Sequence, residues 1–393
     1  MPAFSRRACT AYVSSLFVLV SLSACGAGSE TTTAGSAEKL TAAPSAERLS
    51  GVCPKTVVVQ IDWEPEAEHG PVYNLVGPGY TVDTDKKRVT GPLVVDGADT
   101  GVKIQVRAGG GAIGFQSVPS QMYVDKSITL GTVTTDDAIA AAAKQPVTAV
   151  ASLMRKSPQM LMWDPKTHPD WKTIADIGKS DAKIITSEGA TYAELLVDKG
   201  LIKKNQVDSS YDGSPSRFVS DPKIAMQGFA TAEPYIYQHE VKAWGKPVRY
   251  QLLSDVGYSV YPEPLSVRSG ELTKLTPCLK KLVPIIQKST AGFAAKPDHA
   301  LDVINDLVTQ YNTSWVYSKD TGTYAAGQMV KLGLLGNGAD GSVGGFDMAR
   351  VKDTLTTFRP LLTDSGAKVP ADLTADRLAT NEFIDTSIGM KTS

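Results

Sequence analysis

The chain has 393 residues, 42% of them hydrophobic and 21% charged, with 40 basic against 41 acidic side chains and a formal charge of -1. That is chain enough for two cores of ordinary domain size. The apolar content argues against a disordered protein, and without a basic excess no nucleic-acid partner is expected.

The first segment belongs to targeting. Arg6 and Arg7 precede an apolar run from Ala11 to Leu22, the length of a signal-peptide core and short for a bilayer span. Residues 1–24 are therefore expected to be an export signal. Leu22-Ser23-Ala24-Cys25 resembles a bacterial lipobox, which predicts lipidation at Cys25 and attachment to the outer side of the cytoplasmic membrane; a plain signal peptide with a chance cysteine is the other reading. Losing Arg6 and Arg7 with the signal leaves a formal charge near -3. Residues 25–52, rich in Ala, Gly, Ser and Thr, read as a flexible tether.

With Cys9 in the signal and Cys25 on lipid, Cys53 and Cys278 are left in an oxidising compartment, which suggests one disulfide; two buried free thiols are the alternative. His69, His168, His239 and His299 are scattered and neither remaining cysteine has a partner at ligand spacing, so no metal site is expected.

From Thr56 onward short β-branched runs alternate with helical stretches, an α/β pattern. Strands are expected at Thr56–Ile61, Val102–Arg107, Ile128–Val133, Val147–Leu153, Ala182–Thr186 and Val248–Leu253. Helices are expected at Asp136–Lys144 and Thr191–Lys199. After Leu272 they follow at Cys278–Lys288, opened by Thr276 as cap with Pro277 in the first turn, then Pro297–Tyr311, Met348–Phe358 and Ala375–Phe383. This order suits two lobes with the chain crossing near Val150–Pro158 and returning near Asp255–Pro264. Residues 53–154 and 262–393 then form lobe 1 and residues 155–261 form lobe 2, one continuous domain being the other reading.

Gly109-Gly110-Gly111-Ala112-Ile113-Gly114 follows a strand and matches G-x-G-x-x-G, with Asp136 at the distance of a ribose-binding acid. Pro119 interrupts any long helix behind it, so a tight strand-to-loop turn is the preferred reading. No G-x-S-x-G occurs, and no catalytic residue is expected. The segment Asp62 to Tyr73 lies where the first strand ends, the place at which open α/β sheets bind ligands. There Trp63 and Tyr73 offer aromatic faces, and Asp62 and His69 offer hydrogen-bonding groups; a surface turn with Trp63 in the core is the alternative.

That segment resembles the D-W-x-P-x-x-x-H-x-x-x-Y signature of ABC-importer solute-binding proteins in the thiamine-pyrimidine-precursor, alkanesulfonate, taurine and nitrate branch. Asp62, Trp63, Pro65, His69 and Tyr73 match it, while Glu66 and Glu68 stand where asparagines are usual. Later segments keep the family's order: Lys144 to Ala151, Thr186 to Tyr192, and Ala232-Glu233-Pro234-Tyr235. The resemblance implies a two-lobed type 2 periplasmic-binding fold with hinge strands and a helical C-terminal part. It further implies a small-molecule ligand in the cleft, no cofactor, a monomer, and an ABC permease and ATPase as partners. Ser187, Glu188 and Thr191 at a helix N-terminus, Asp212 in the next such turn, and Glu233 complete the expected ligand-binding set. The acids favour a neutral or weakly cationic heterocycle over a flavin-like vitamin, with alkanesulfonate, taurine or nitrate after these, unless the acids lie on a solvated rim. An exported dinucleotide-dependent or pyrimidine-synthesis-related enzyme, and a lipoprotein that keeps the fold only for protein contacts, are the readings from other classes.

Overall fold

The computed structural model describes residues 31–33, 40–313 and 315–391. The export signal, Cys25 and the first part of the tether lie outside the described residues. Among the described residues no helix is long and apolar enough to cross a membrane.

Among the described residues thirteen strands fall in two sheets: β1 (Thr31–Thr33), β2 (Thr56–Gln60), β3 (Thr81–Asp83), β4 (Arg88–Val95), β5 (Ala98–Arg107), β6 (Leu130–Thr132), β7 (Val147–Ser152), β8 (Gln159–Trp163), β9 (Ile184–Ile185), β10 (Val207–Asp208), β11 (Ala225–Phe229), β12 (Arg249–Leu252) and β13 (Pro264–Arg268). The larger sheet has the order β1-β3-β4-β5-β2-β6-β13-β7 and the smaller β10-β9-β11-β8-β12. In the first, β5, β2 and β6 run parallel and β13 is inserted antiparallel to both β6 and β7. In the second, β10, β9 and β11 run parallel, and β8 is antiparallel to β11 and β12. Val57, Val58 and Val59 of β2 are all buried, as expected of a parallel strand covered on both faces.

The chain passes from the first sheet to the second over residues 153–158 and returns over residues 253–263. Where an extended hinge strand was expected around Val256–Pro264, a 3-10 turn at Leu253–Val256 precedes irregular backbone. One side chain holds both passages. Arg350 donates to the carbonyls of Ser259 and Val260 at 2.7 Å each, bonds the carbonyl of Arg155, and lies 4.0 Å over the Tyr261 ring.

The helix expected to open at Thr276-Pro277 starts a turn earlier and spans Leu272–Ala295, with Pro277 and Pro284 inside it. Its buried face, with Leu275, Cys278, Leu279, Leu282, Val283 and Ile286, makes up for the bonds the prolines cannot donate, since packing outweighs local propensity. The tether also ends sooner than expected. Ala43 and Leu49 are buried, and their N–H groups bond Asp99 and Thr100 at 2.8 and 2.9 Å, so residues 40–52 pack on the body. Cys53 and Cys278 are joined as a disulfide.

Candidate functional site

Because β5, β2 and β6 are parallel, the segments leaving their C-terminal ends share one edge; those leaving β9 and β11 do the same in the second sheet. Ligands bind outside such edges. Here the segment after β2 is held from three sides. Gly109 and Gly110 donate to the carbonyls of Trp63 and Asp62 at 2.8 Å each. A Cβ on Gly109 would fall 2.2 Å from the Asp62 carbonyl carbon, so the residue must be glycine for this contact. The glycine run that matched a dinucleotide fingerprint thus serves backbone packing. From another side, the Trp315 ring N–H donates to Pro65 at 3.2 Å and the Ala67 N–H donates to the Tyr317 hydroxyl at 3.1 Å.

Thr132, ending β6, fixes Asp62: its hydroxyl accepts from the Asp62 N–H at 2.9 Å and donates to Oδ1 at 2.8 Å. His69 Nε2 lies 2.8 Å from the same Oδ1 and 3.2 Å from Glu263 Oε2. Nε2 carries one hydrogen at most, which Asp62 takes, and Glu263 Oε2 makes no hydrogen bond. Glu263 comes from the return passage, held between Pro262 and Pro264.

Hydrogen bonds run from the second sheet to this edge. Thr231, just past β11, donates to Glu68, whose other carboxylate oxygen is buried without a partner. Thr191 and, at 2.9 Å, Tyr258 donate to Asp136 Oδ2, leaving Oδ1 unpartnered. On the second sheet's side, Gln227 accepts from the Ser187 N–H at 2.6 Å and the Tyr192 hydroxyl at 2.5 Å.

The result is an acidic patch in which Glu68 and Glu263 are buried while Asp62 and Glu66 stay partly exposed. Burial, and then the charges of Glu68, Asp62 and Glu263, hold Glu66 well above the usual carboxylate range. Burial likewise raises Glu68 and pushes Glu263 up to about 7, the Asp62 charge adding to the latter. Burial also acts on Asp62, but the hydrogen bonds from His69 and Thr132 and the His69 charge outweigh it and leave this carboxyl low. Burial presses His69 down, yet Glu263 and Asp62 carry it well above its ordinary value. Carboxyls crowded in this way are stabilised either by taking up protons themselves or by donors and positive charge placed among them, as His69 already is.

No family model matches the sequence, and no curated protein matches it. Among solved structures the chain is similar to the alkanesulfonate-binding protein of Xanthomonas axonopodis pv. citri bound to MOPS, with 11% identity, a TM-score of 0.52, and coverage of 83% of this chain and 98% of that one. The periplasmic aliphatic sulphonate binding protein of Escherichia coli gives 12%, 0.50, 83% and 91%. A protein of Bordetella bronchiseptica RB50 gives 16%, 0.51, 85% and 96%. The chain has the type 2 periplasmic-binding fold.

Within that binding-protein fold the expected site residues separate. Asp62, His69, Thr191 and Glu233 lie at or beside the facing edges, and Ser187 is tied to Gln227 there. Tyr73 is instead a core residue, 1% exposed, since the short helix Gly70–Tyr73 turns it inward. Trp63 lies at the surface, its ring centroid 6.1 Å from those of Phe115 and Trp315. Glu188 and Asp212 are exposed, Asp212 capping its own turn through the Ser214 N–H at 2.8 Å. Glu263, Thr132, Thr231 and Gln227 join the site without having been expected. A glutamate between two prolines in a passage between sheets is the one local sign that could have marked Glu263.

Glu233 gives a pH test. It accepts from the Phe229 N–H at 2.6 Å, yet burial pushes its carboxyl up from 4.5 to about 7. Below pH 4.5 it is protonated whether the chain is folded or not; between 4.5 and about 7 the unfolded chain ionises first, so stability falls as pH rises. Glu233→Gln keeps the acceptor and should raise Tm at pH 8, by the equivalent of about 1–3 kcal/mol, while leaving it unchanged near pH 3, well below both values. Thermal melts at both pH values check this; an equal shift at both would contradict it.

Proposed function

We propose that this chain is an exported solute-binding lipoprotein, anchored through Cys25. It captures a small nitrogen heterocycle of the vitamin-precursor type and delivers it to an ABC permease and ATPase. Two lobes, residues 53–154 with 262–393 and residues 155–261, close on the ligand about the two passages, and the chain performs no bond chemistry.

The observation that carries the reading is the acidic patch at the facing edges: Asp62, Glu66, Glu68, Glu233 and Glu263, whose largest charged neighbours are one another and His69. Ring N–H and amino groups would supply the donors that Glu68 Oε2 and Glu263 Oε2 lack. The sulfonates named for two of the similar structures would bring negative charge to the same carboxylates, which supports placing such ligands second. Identifying the small molecules released from the purified protein on denaturation tests the proposal: a heterocycle bearing ring N–H or amino groups supports it, and a sulfonate contradicts it.

A further inference from the structure

Among the described residues, Asp62, His69 and Glu263 each bring one donor atom within 4.8 Å of the others. Asp62 and His69 share the segment after β2, and Glu263 reaches them from the return passage. We propose that they bind a divalent first-row transition ion of the zinc or manganese class.

Three observations carry this. The first is spacing. Ligands ~2.1 Å from one ion stand roughly 3.0 Å apart at right angles and roughly 3.4 Å apart in a tetrahedron, and His69 Nε2 lies 2.8 and 3.2 Å from its two carboxylate partners. Two of the three spacings already match an ion's shell, and the third, between Asp62 and Glu263, is within 4.8 Å, so the carboxylates need only draw together to close on an ion. The second is a buried acceptor without a donor. The Glu263 side chain is 8% exposed, and its Oε2 faces Nε2 with no hydrogen to accept. The third is support around the ligands: Thr132 orients the Asp62 carboxylate through two hydrogen bonds, the kind of outer contact that fixes a metal ligand. One imidazole nitrogen with two carboxylate oxygens suits zinc or manganese; calcium prefers an all-oxygen shell of six to eight ligands.

The proposal does not rest on the organic ligand of the previous section. The test uses the full exported protein, stripped with a chelator and titrated calorimetrically with Zn2+, Mn2+ and Ca2+. One Zn2+ or Mn2+ per chain is expected, with Ca2+ at least about a hundredfold weaker. His69→Gln and Glu263→Gln should each weaken the tighter ion by about a hundredfold or more, Glu263→His should retain it, and Asp212→Asn, on the exposed turn, should change nothing. Circular dichroism of each variant confirms folding. Should His69→Gln fail to fold, loss in Glu263→Gln with retention in Glu263→His decides the matter. The absence of binding heat for both transition ions, or wild-type affinity in Glu263→Gln, overturns the proposal. An aminopyrimidine titrated into the metal-free protein reports separately on the organic ligand.

Discussion

Replacing Cys278 with serine should lower Tm by about 10 °C, the largest loss expected from one substitution here. The bridge joins positions 225 residues apart, and closing so long a loop removes about 5 kcal/mol of chain entropy from the unfolded state. It also has a local task. Cys53 follows the segment whose Ala43 and Leu49 are buried, and Cys278 lies on the inner face of Leu272–Ala295, so the bridge pins the incoming chain to the helix it packs on. Lys288 of that helix adds an ion pair to Glu47. Because the serine hydroxyl at position 278 would itself be buried, Cys53→Ser at the half-buried end and the reduced wild type serve as companions. All three should melt alike, well below the oxidised protein. Melting within 2 °C of the oxidised wild type would show that the bridge contributes nothing.

Glu68→Gln should weaken binding of an aminopyrimidine thiamine precursor by about a hundredfold or more, since removing one member of a desolvated charged pair costs about 2–5 kcal/mol. Glu68 is 2% exposed, sits in the 3-10 turn Ala67–His69, and takes the Thr231 hydroxyl hydrogen from the opposite edge on one oxygen. Glutamine preserves the shape and the Thr231 contact but not the charge, which separates recognition from folding. The same variant removes one of several crowded carboxylates, so it should melt no lower than wild type at pH 8. Wild-type affinity in Glu68→Gln would place the ligand elsewhere.

Parts of this architecture are legible in the sequence for identifiable reasons. Thr56–Gln60 and Val147–Ser152 are rich in β-branched residues, and both form strands close to the expected bounds. The helix Asp298–Tyr311 shows its apolar stripe in Leu301, Ile304 and Leu307. Other strands carry no such mark. Gln159–Trp163 reads QMLMW and Ala225–Phe229 reads AMQGF, neither containing a β-branched residue; they are strands because the second sheet needs partners there. β13 opens on proline, tolerable at a strand's first residue, and β4 contains Gly91-Pro92. The helix Lys319–Lys331 is masked by Gly322 and Gly327.

The site follows the same division. Asp62 and His69 are seven positions apart, close enough to be read together on one segment. Their partners Glu263, Thr132 and Thr231 reach them only through strand order, which no local pattern encodes. Tyr73 shows the converse: it stands where a motif would put it, but backbone geometry sends it to the core, while Trp63 next to Asp62 stays at the surface.

Capture of a nitrogen heterocycle is checked by a mass spectrum of the small molecules released on denaturing the purified protein. A near-stoichiometric heterocycle bearing ring N–H or amino groups, an aminopyrimidine above all, is expected. A sulfonate, a nitrate or a dinucleotide released at that ratio would contradict it.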